Sequence, residues 1–209
     1  LDNINPSLSI ILPLNQTYNF NVSLLLNYTV SDQFLQACWY AVDGGANITL
    51  TCGQNTTLNF SDGSHTVRVY ANDTLNNTNI SEFVIFSIDT TFPQISFGNF
   101  ADLNQSNLSR NWTYANATVT ELNEVNITFT IYNQTGLYNQ TTFFTNVRTI
   151  NWTNLVDGNY TFNATAVDAA NNKNYTESRI VRIDTTLPGV EYGLGTLANG
   201  STSPNDWIY

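Results

Sequence analysis

The chain has 209 residues, a net charge of −10 and only 11% charged residues, against 42% hydrophobic and 13% aromatic. One Lys and five Arg cannot neutralise a phosphate backbone or hold the chain on an anionic membrane surface, so nucleic-acid and membrane-surface partners are excluded. No apolar run approaches the ~20 residues that a membrane-spanning helix needs, so no membrane span is expected.

Taken in chain order, the first five residues, "LDNIN", share a skeleton with the later phrases "IDTTFP" at 88–93 and "IDTTLP" at 183–188. They are read as the end of a preceding repeat, residues 1–5. "YNFNVSLLLNYTV" at 18–30 alternates apolar and polar residues and predicts one half-buried strand with Tyr18, Phe20, Val22, Leu24, Leu26, Tyr28 and Val30 on one face. "CWYAVDGG" at 38–45 predicts a strand running into a hairpin turn. Pairing about residue 45 sets Cys38 opposite Cys52, close to bridging geometry, and a disulfide is expected. In a 15-residue loop it is worth roughly 3 kcal/mol in a chain-entropy account. The same hairpin leaves Trp39 open: alternation puts it outside, and an immunoglobulin-like third strand would put it in the core. "VNITFTI" at 125–131 and "YTFNATA" at 160–166 predict two more half-buried antiparallel strands.

Residues 62–93 align without gaps on 157–188 at an offset of 95 and share close to half of their residues, among them Asp62/Asp157, Ala71/Ala166, Asp73/Asp168 and Asn77/Asn172. The same offset brings Pro93 onto Pro188, Gly98 onto Gly193, Trp112 onto Trp207 and Tyr114 onto Tyr209. The organisation expected is therefore repeat one at 6–91 and repeat two at 92–186. Residues 187–209 begin a third repeat or form a strand exchanged with a neighbour, in a segment of a longer tandem array. The repeated phrase joins the last strand of one sandwich to the first strand of the next. Many short strands, frequent turn signals and no helical period predict an all-β chain of tandem antiparallel Ig-like β-sandwiches.

The polar residues are unusual: 32 Asn, 29 Thr and 14 Ser. They form 21 Asn-X-Ser/Thr sequons, where random placement would give about seven. In repeat one these begin at Asn15, Asn21, Asn27, Asn47, Asn55, Asn59, Asn72, Asn76 and Asn79. They continue at Asn104, Asn107, Asn111, Asn116, Asn126, Asn133, Asn139, Asn151, Asn159, Asn163, Asn174 and Asn199. In a strand, residues i and i+2 share a face, so Asn and Thr both point outward when the residue between them points in. This is the pattern of dense N-glycosylation on an extracellular surface.

The closing half of each repeat, "DG-x-[HY]-T-x-x-x-x-A-x-D-x-x-x-N", together with "CWYAVDGG", resembles the tandem bacterial and archaeal Ig-like (Big-type) repeats of large surface proteins. The resemblance implies an architecture and no activity.

The chemistry-bearing residues are few. His65 is the only histidine; it aligns with Tyr160 and is expected to close a strand corner. Glu121 and Glu124 flank a turn, and Glu82 and Glu177 occupy equivalent strand starts, so no general acid/base pair is expected. Calcium is weighed at Asp73, Asp89, Asp168 and Asp184 and ranked below a turn role, because dense DxD strings are absent. Trp112 and Trp207 are expected to pack in cores or between domains. No catalytic residue, metal site or cofactor is expected.

These readings converge on a non-enzymatic structural subunit of a heavily N-glycosylated extracellular filament, appendage or adhesin at a cell surface, with archaea favoured. It self-associates into a polymer, with strand addition as one route. The alternative is a spacer or carbohydrate-binding Ig-like module of a secreted enzyme.

Overall fold

The computed structural model describes residues 3–190, and they build two sandwiches of matching topology. The first contains β1 (Ser7–Leu12), β2 (Thr17–Tyr18), β3 (Leu24–Ser31), β4 (Leu35–Val42), β5 (Ile48–Leu50), β6 (Thr56–Leu58), β7 (Gly63–Asp73), β8 (Thr78–Ile80) and β9 (Val84–Ile88). The second contains β10 (Gln94–Phe97), β11 (Ser106–Leu108), β12 (Thr113–Thr120), β13 (Glu124–Asn133), β14 (Gly136–Phe143), β15 (Thr149–Trp152), β16 (Gly158–Asp168), β17 (Lys173–Tyr175) and β18 (Arg179–Ile183). There is no helix among the described residues. The expectations for Asn199, for Trp207 and for most of 187–209 lie outside the described residues, as do Leu1 and Asp2.

Each sandwich packs a three-stranded sheet on a six-stranded one. The small sheets run β1-β3-β6 and β10-β12-β15. The large sheets run β2-β9-β7-β4-β5, with β8 on β7, and β11-β18-β16-β13-β14, with β17 on β16. Pairing is antiparallel except for β2 with β9 and β11 with β18.

Alternation decides which residues meet between the sheets. On β16, Tyr160, Phe162, Ala164 and Ala166 point in and are buried beside Ile127, Phe129 and Ile131 of the neighbouring β13, and the first three share one core with Ala115, Ala117 and Trp152 of the small sheet. On β7, Val67, Val69 and Ala71 meet Leu24, Leu26, Tyr28 and Phe86. Truncating one of these buried aliphatic side chains to Ala costs about 2–5 kcal/mol, so each core can hold its own sandwich. Trp152 of β15 is a buried core tryptophan of the second sandwich, and its Nε1 donates to Asn139 Oδ1 at 3.2 Å.

Three expectations are corrected. Residues 18–30 are not one strand. Tyr18 pairs with Ile88 in the large sheet, the chain then crosses to the small sheet through Ser23 at φ 57°, and only from Leu24 does the small-sheet strand begin. Phe20 and Val22, on this crossover, are exposed. The hairpin register is also shifted by two residues: Cys38 faces Leu50, Trp39 faces Thr49 and Tyr40 faces Ile48. Cys52 lies past the end of β5 and reaches back to Cys38 in a disulfide, with Cα atoms 5.2 Å apart. Trp39 is on the outer face, its ring parallel to that of Tyr70. Finally, Trp112 is no core residue: it is 37% exposed and lies beneath the Arg110 guanidinium, 3.8 Å from the ring centre.

Candidate functional site

Two features could carry function: the outward faces with their sequons, and the junction between the sandwiches. Among the described residues no sequon asparagine is buried. Within the strands the alternation follows the sequon. Asn163 and Thr165 flank buried Ala164, Asn126 and Thr128 flank buried Ile127, and Asn27 and Thr29 flank buried Tyr28.

Two sequons have a different reason to exist. Asn79 Nδ2 donates to the carbonyl of Pro6, and Asn174 Nδ2 to that of Pro93, each at 2.8 Å. Their hydroxyl partners, Ser81 and Thr176, are buried and accept the backbone N–H of Val69 and Ala164. At these two equivalent places the Asn-X-Ser/Thr pattern ties the edge of β8 or β17 to the start of its sandwich. Sequence counting cannot separate such a motif from a glycan acceptor.

The junction explains the repeated phrase. Asp62, in the turn before β7, accepts hydrogen bonds from Thr90 N and Oγ1 and from Thr91 Oγ1. Asp157 does the same for Thr185 and Thr186. The "DG" and "DTT" phrases are thus two halves of one clamp. The second sandwich then grips the first: Asn172 Nδ2 donates to the carbonyls of Asp89 at 2.8 Å and Thr91 at 3.2 Å, and to its own turn partner Asp168. Asn123 Nδ2 reaches Asp89 Oδ2 at 3.3 Å.

These contacts bring Asp89, Glu121 and Asp168 together, with one carboxylate oxygen from each inside 4.8 Å of the others. Asp89 and Asp168 were among the calcium candidates; Glu121 is added by the fold, from a turn that sequence spacing did not connect to them. Three oxygens are half or fewer of the six to eight that calcium takes, so water or further oxygens would have to complete a shell. Asp73 and Asp184 lie elsewhere. Asp73 accepts from Leu75 N, Asn77 N and Asn77 Nδ2, which closes its own turn. Asp184 pairs with Arg182.

His65 sits at the start of β7. Its Nδ1 lies 2.8 Å from Asp43 Oδ2 and its Nε2 2.9 Å from the Ser61 carbonyl. Tyr160, at the equivalent place, donates its hydroxyl to the carbonyl of Val156, four residues back as Ser61 is from His65. His65 is therefore the counterpart of a tyrosine that closes an immunoglobulin-type corner. Nε2 is committed to a carbonyl, so the Asp43–His65 pair has no hydroxyl or thiol to activate. The carboxylates are similarly engaged: Glu124 takes both ends of the Arg148 guanidinium, and Glu177 pairs with Arg179.

Comparison with known proteins fits this geometry. Residues 3–86 match the family model of the PKD domain. No curated protein matches the chain. Fibronectin(III)-like modules of Clostridium thermocellum CbhA superpose with a TM-score of 0.54 at 11% identity, over 90% of this chain and 100% of that one. The FN1–FN3 domains of chicken CNTN1 align over 86% of this chain and 67% of theirs, at 13% identity and a TM-score of 0.48. The chain is a tandem of Ig-like β-sandwich repeats. PKD-like and fibronectin III-like modules are generally non-catalytic and are typical of extracellular proteins, spacers and carbohydrate-binding modules among them. The Cys38–Cys52 disulfide agrees with an oxidising, extracellular setting.

Proposed function

We propose that this chain is a non-enzymatic structural segment of a heavily N-glycosylated filament or appendage at a cell surface, of archaeal type. The carrying observation is the alternation of sequons with core residues: glycans at Asn126, Asn159 and Asn163 would all leave one face of the second sandwich without disturbing its core. The junction supports a load-bearing role. Only residues 89–93 separate β9 from β10, and Asn172 ties that short link to the second sandwich. Tension is then borne by sheet hydrogen bonds and by the Asp–Thr clamps.

Self-association completes the reading. β14 is an eight-residue edge strand of the second large sheet, and among the described residues no strand pairs with its outer side, where strand addition would occur. The test is the native protein from its source. The reading predicts a large mass loss on enzymatic or chemical removal of N-glycans and sedimentation as long assemblies. An unmodified, monodisperse monomer contradicts it.

A further inference from the structure

The outer faces of the two large sheets differ sharply. In the second sandwich, Thr128 faces Thr165 and Thr130 faces Asn163. Thr128 closes the sequon Asn126-Ile127-Thr128, and Asn163 and Thr165 belong to Asn163-Ala164-Thr165. In the first sandwich the same rungs hold Trp39 opposite Tyr70 and Ala41 opposite Arg68. Both sequons are gone, and an aromatic pair stands where their two threonines would be. The Trp39 and Tyr70 rings are parallel within 5°, with centroids 5.7 Å apart. Phe83 and Ile85, about half exposed, extend the apolar surface along β9. The Asn47-Ile48-Thr49 sequon of β5 borders the pair, with Thr49 opposite Trp39, and the Asn72 sequon lies further along β7.

Arg68 gives the face its sign. The other four arginines each pair with a carboxylate: Arg110 with Asp102, Arg148 with Glu124, Arg179 with Glu177 and Arg182 with Asp184. Arg68 has no carboxylate partner among the described residues. Its guanidinium lies over Phe83, 4.2 Å from the ring centre. Two N–H donors of the face, Trp39 Nε1 and Arg68 Nε, are covered and meet no acceptor. Buried donors without a partner are rare. A shallow concavity lined by Ala41, Gly44, Thr66, Arg68, Tyr70 and Phe83 adjoins the aromatic pair.

We propose that this face binds an acidic polysaccharide, with pyranose C–H faces against Trp39 and Tyr70 and a uronate carboxylate at Arg68. Successive residues on one face of a strand are about 7 Å apart. Adjacent sugars of one chain can therefore meet Tyr70 and Arg68 together. Arg suits a carboxylate because its planar fork makes two parallel hydrogen bonds. A peptide cannot add here as a strand, because β4 and β7 are paired on both sides.

The test uses the whole chain, produced without glycans, titrated calorimetrically with oligogalacturonate, oligoguluronate and oligoglucuronate and with their carboxyl-reduced counterparts. The expected result is saturable binding of at least one acid form, weakened by about tenfold or more on carboxyl reduction. Arg68→Asn, which installs the second sandwich's residue, reduces the acid form to the affinity of the reduced one. Trp39→Ala and Tyr70→Thr each abolish both, with unfolding midpoints measured alongside. If one variant fails to fold, the other two carry the test. No binding by any acid form, equal binding of acid and reduced forms, or binding untouched by the folded variants overturns the proposal. So does concentration-dependent dimerisation through this face that Trp39→Ala removes.

Discussion

Thr90 Oγ1 donates to both carboxylate oxygens of Asp62, at 2.9 and 3.1 Å, and Thr185 Oγ1 meets Asp157 at 2.7 Å. The clamp closes each sandwich at the point where the chain leaves it. Thr90→Val should destabilise the first sandwich by about 0.5–1.5 kcal/mol, the net worth of an ordinary hydrogen bond. Thr185→Val should act in the same direction on the second. The Asp157 carboxyl is held below its usual range, first by the backbone N–H of Thr185 and then by the Thr185 and Thr186 hydroxyls. A depressed folded-state value means stability that is present above the unfolded value, about 3.9, and lost as pH falls through the folded one. Denaturant titrations below pH 4 should show this loss in the wild type and less of it in Thr185→Val.

His65 should give the first sandwich the opposite pH dependence. Both ring nitrogens face acceptors, the Asp43 carboxylate and the Ser61 carbonyl, so only the imidazolium satisfies both. Burial pulls its pKa down, but the hydrogen bonds to Asp43 and Ser61 and the Asp43 charge outweigh it and the pKa is raised. The stabilisation is complete below the unfolded value of about 6.5 and fades as pH rises through the folded one. Chemical denaturation from pH 5 to 9 should follow this trend. His65→Tyr, which installs the second sandwich's corner residue, should flatten it.

Glycan occupancy should be uneven in a way that sequon counting does not foresee. Asn79 and Asn174 use their side-chain amides to hold the Pro6 and Pro93 carbonyls, and Ser81 and Thr176 are buried beside them. Glycopeptide mapping of the native protein should find these two asparagines unmodified, and Asn159 and Asn163 modified. Substituting Ser81→Ala should lower stability, because the buried N–H of Val69 loses its acceptor, without changing the glycan mass.

Much of the fold was legible because its signals are local. Period-2 alternation located β13 and β16, and the offset of 95 located every strand from β16 on as a copy of one from β7 on. Other features depend on pairings between distant residues. Nothing near Ser23 announces that Tyr18 belongs to one sheet and Leu24 to the other. The hairpin register is set by β4 pairing with β7 on its far side, so Cys38 meets Leu50 and not Cys52 across the ladder. Glu121 reaches Asp89 only because two sandwiches dock. The contrast between Trp39–Tyr70 and Thr128–Thr165 needs both registers at once.

The disulfide should matter to one sandwich alone. Cys38 and Cys52 are 14 residues apart, and a cross-link of that span contributes roughly 3 kcal/mol by restricting the unfolded chain. Reduction, or Cys38→Ser with Cys52→Ser, should lower the unfolding midpoint of the first sandwich. The second, which has no cysteine, should unfold as before, so that calorimetry resolves two transitions.

The central claim is that these sandwiches are units of a glycosylated polymer. Electron cryo-microscopy of native material, imaged from its source without denaturation, tests it most directly. The account predicts regular filaments whose axial repeat accommodates paired sandwiches, with extra density rising from Asn126, Asn159 and Asn163 and none at Asn79 or Asn174. Isolated single molecules with bare sandwich faces would contradict it.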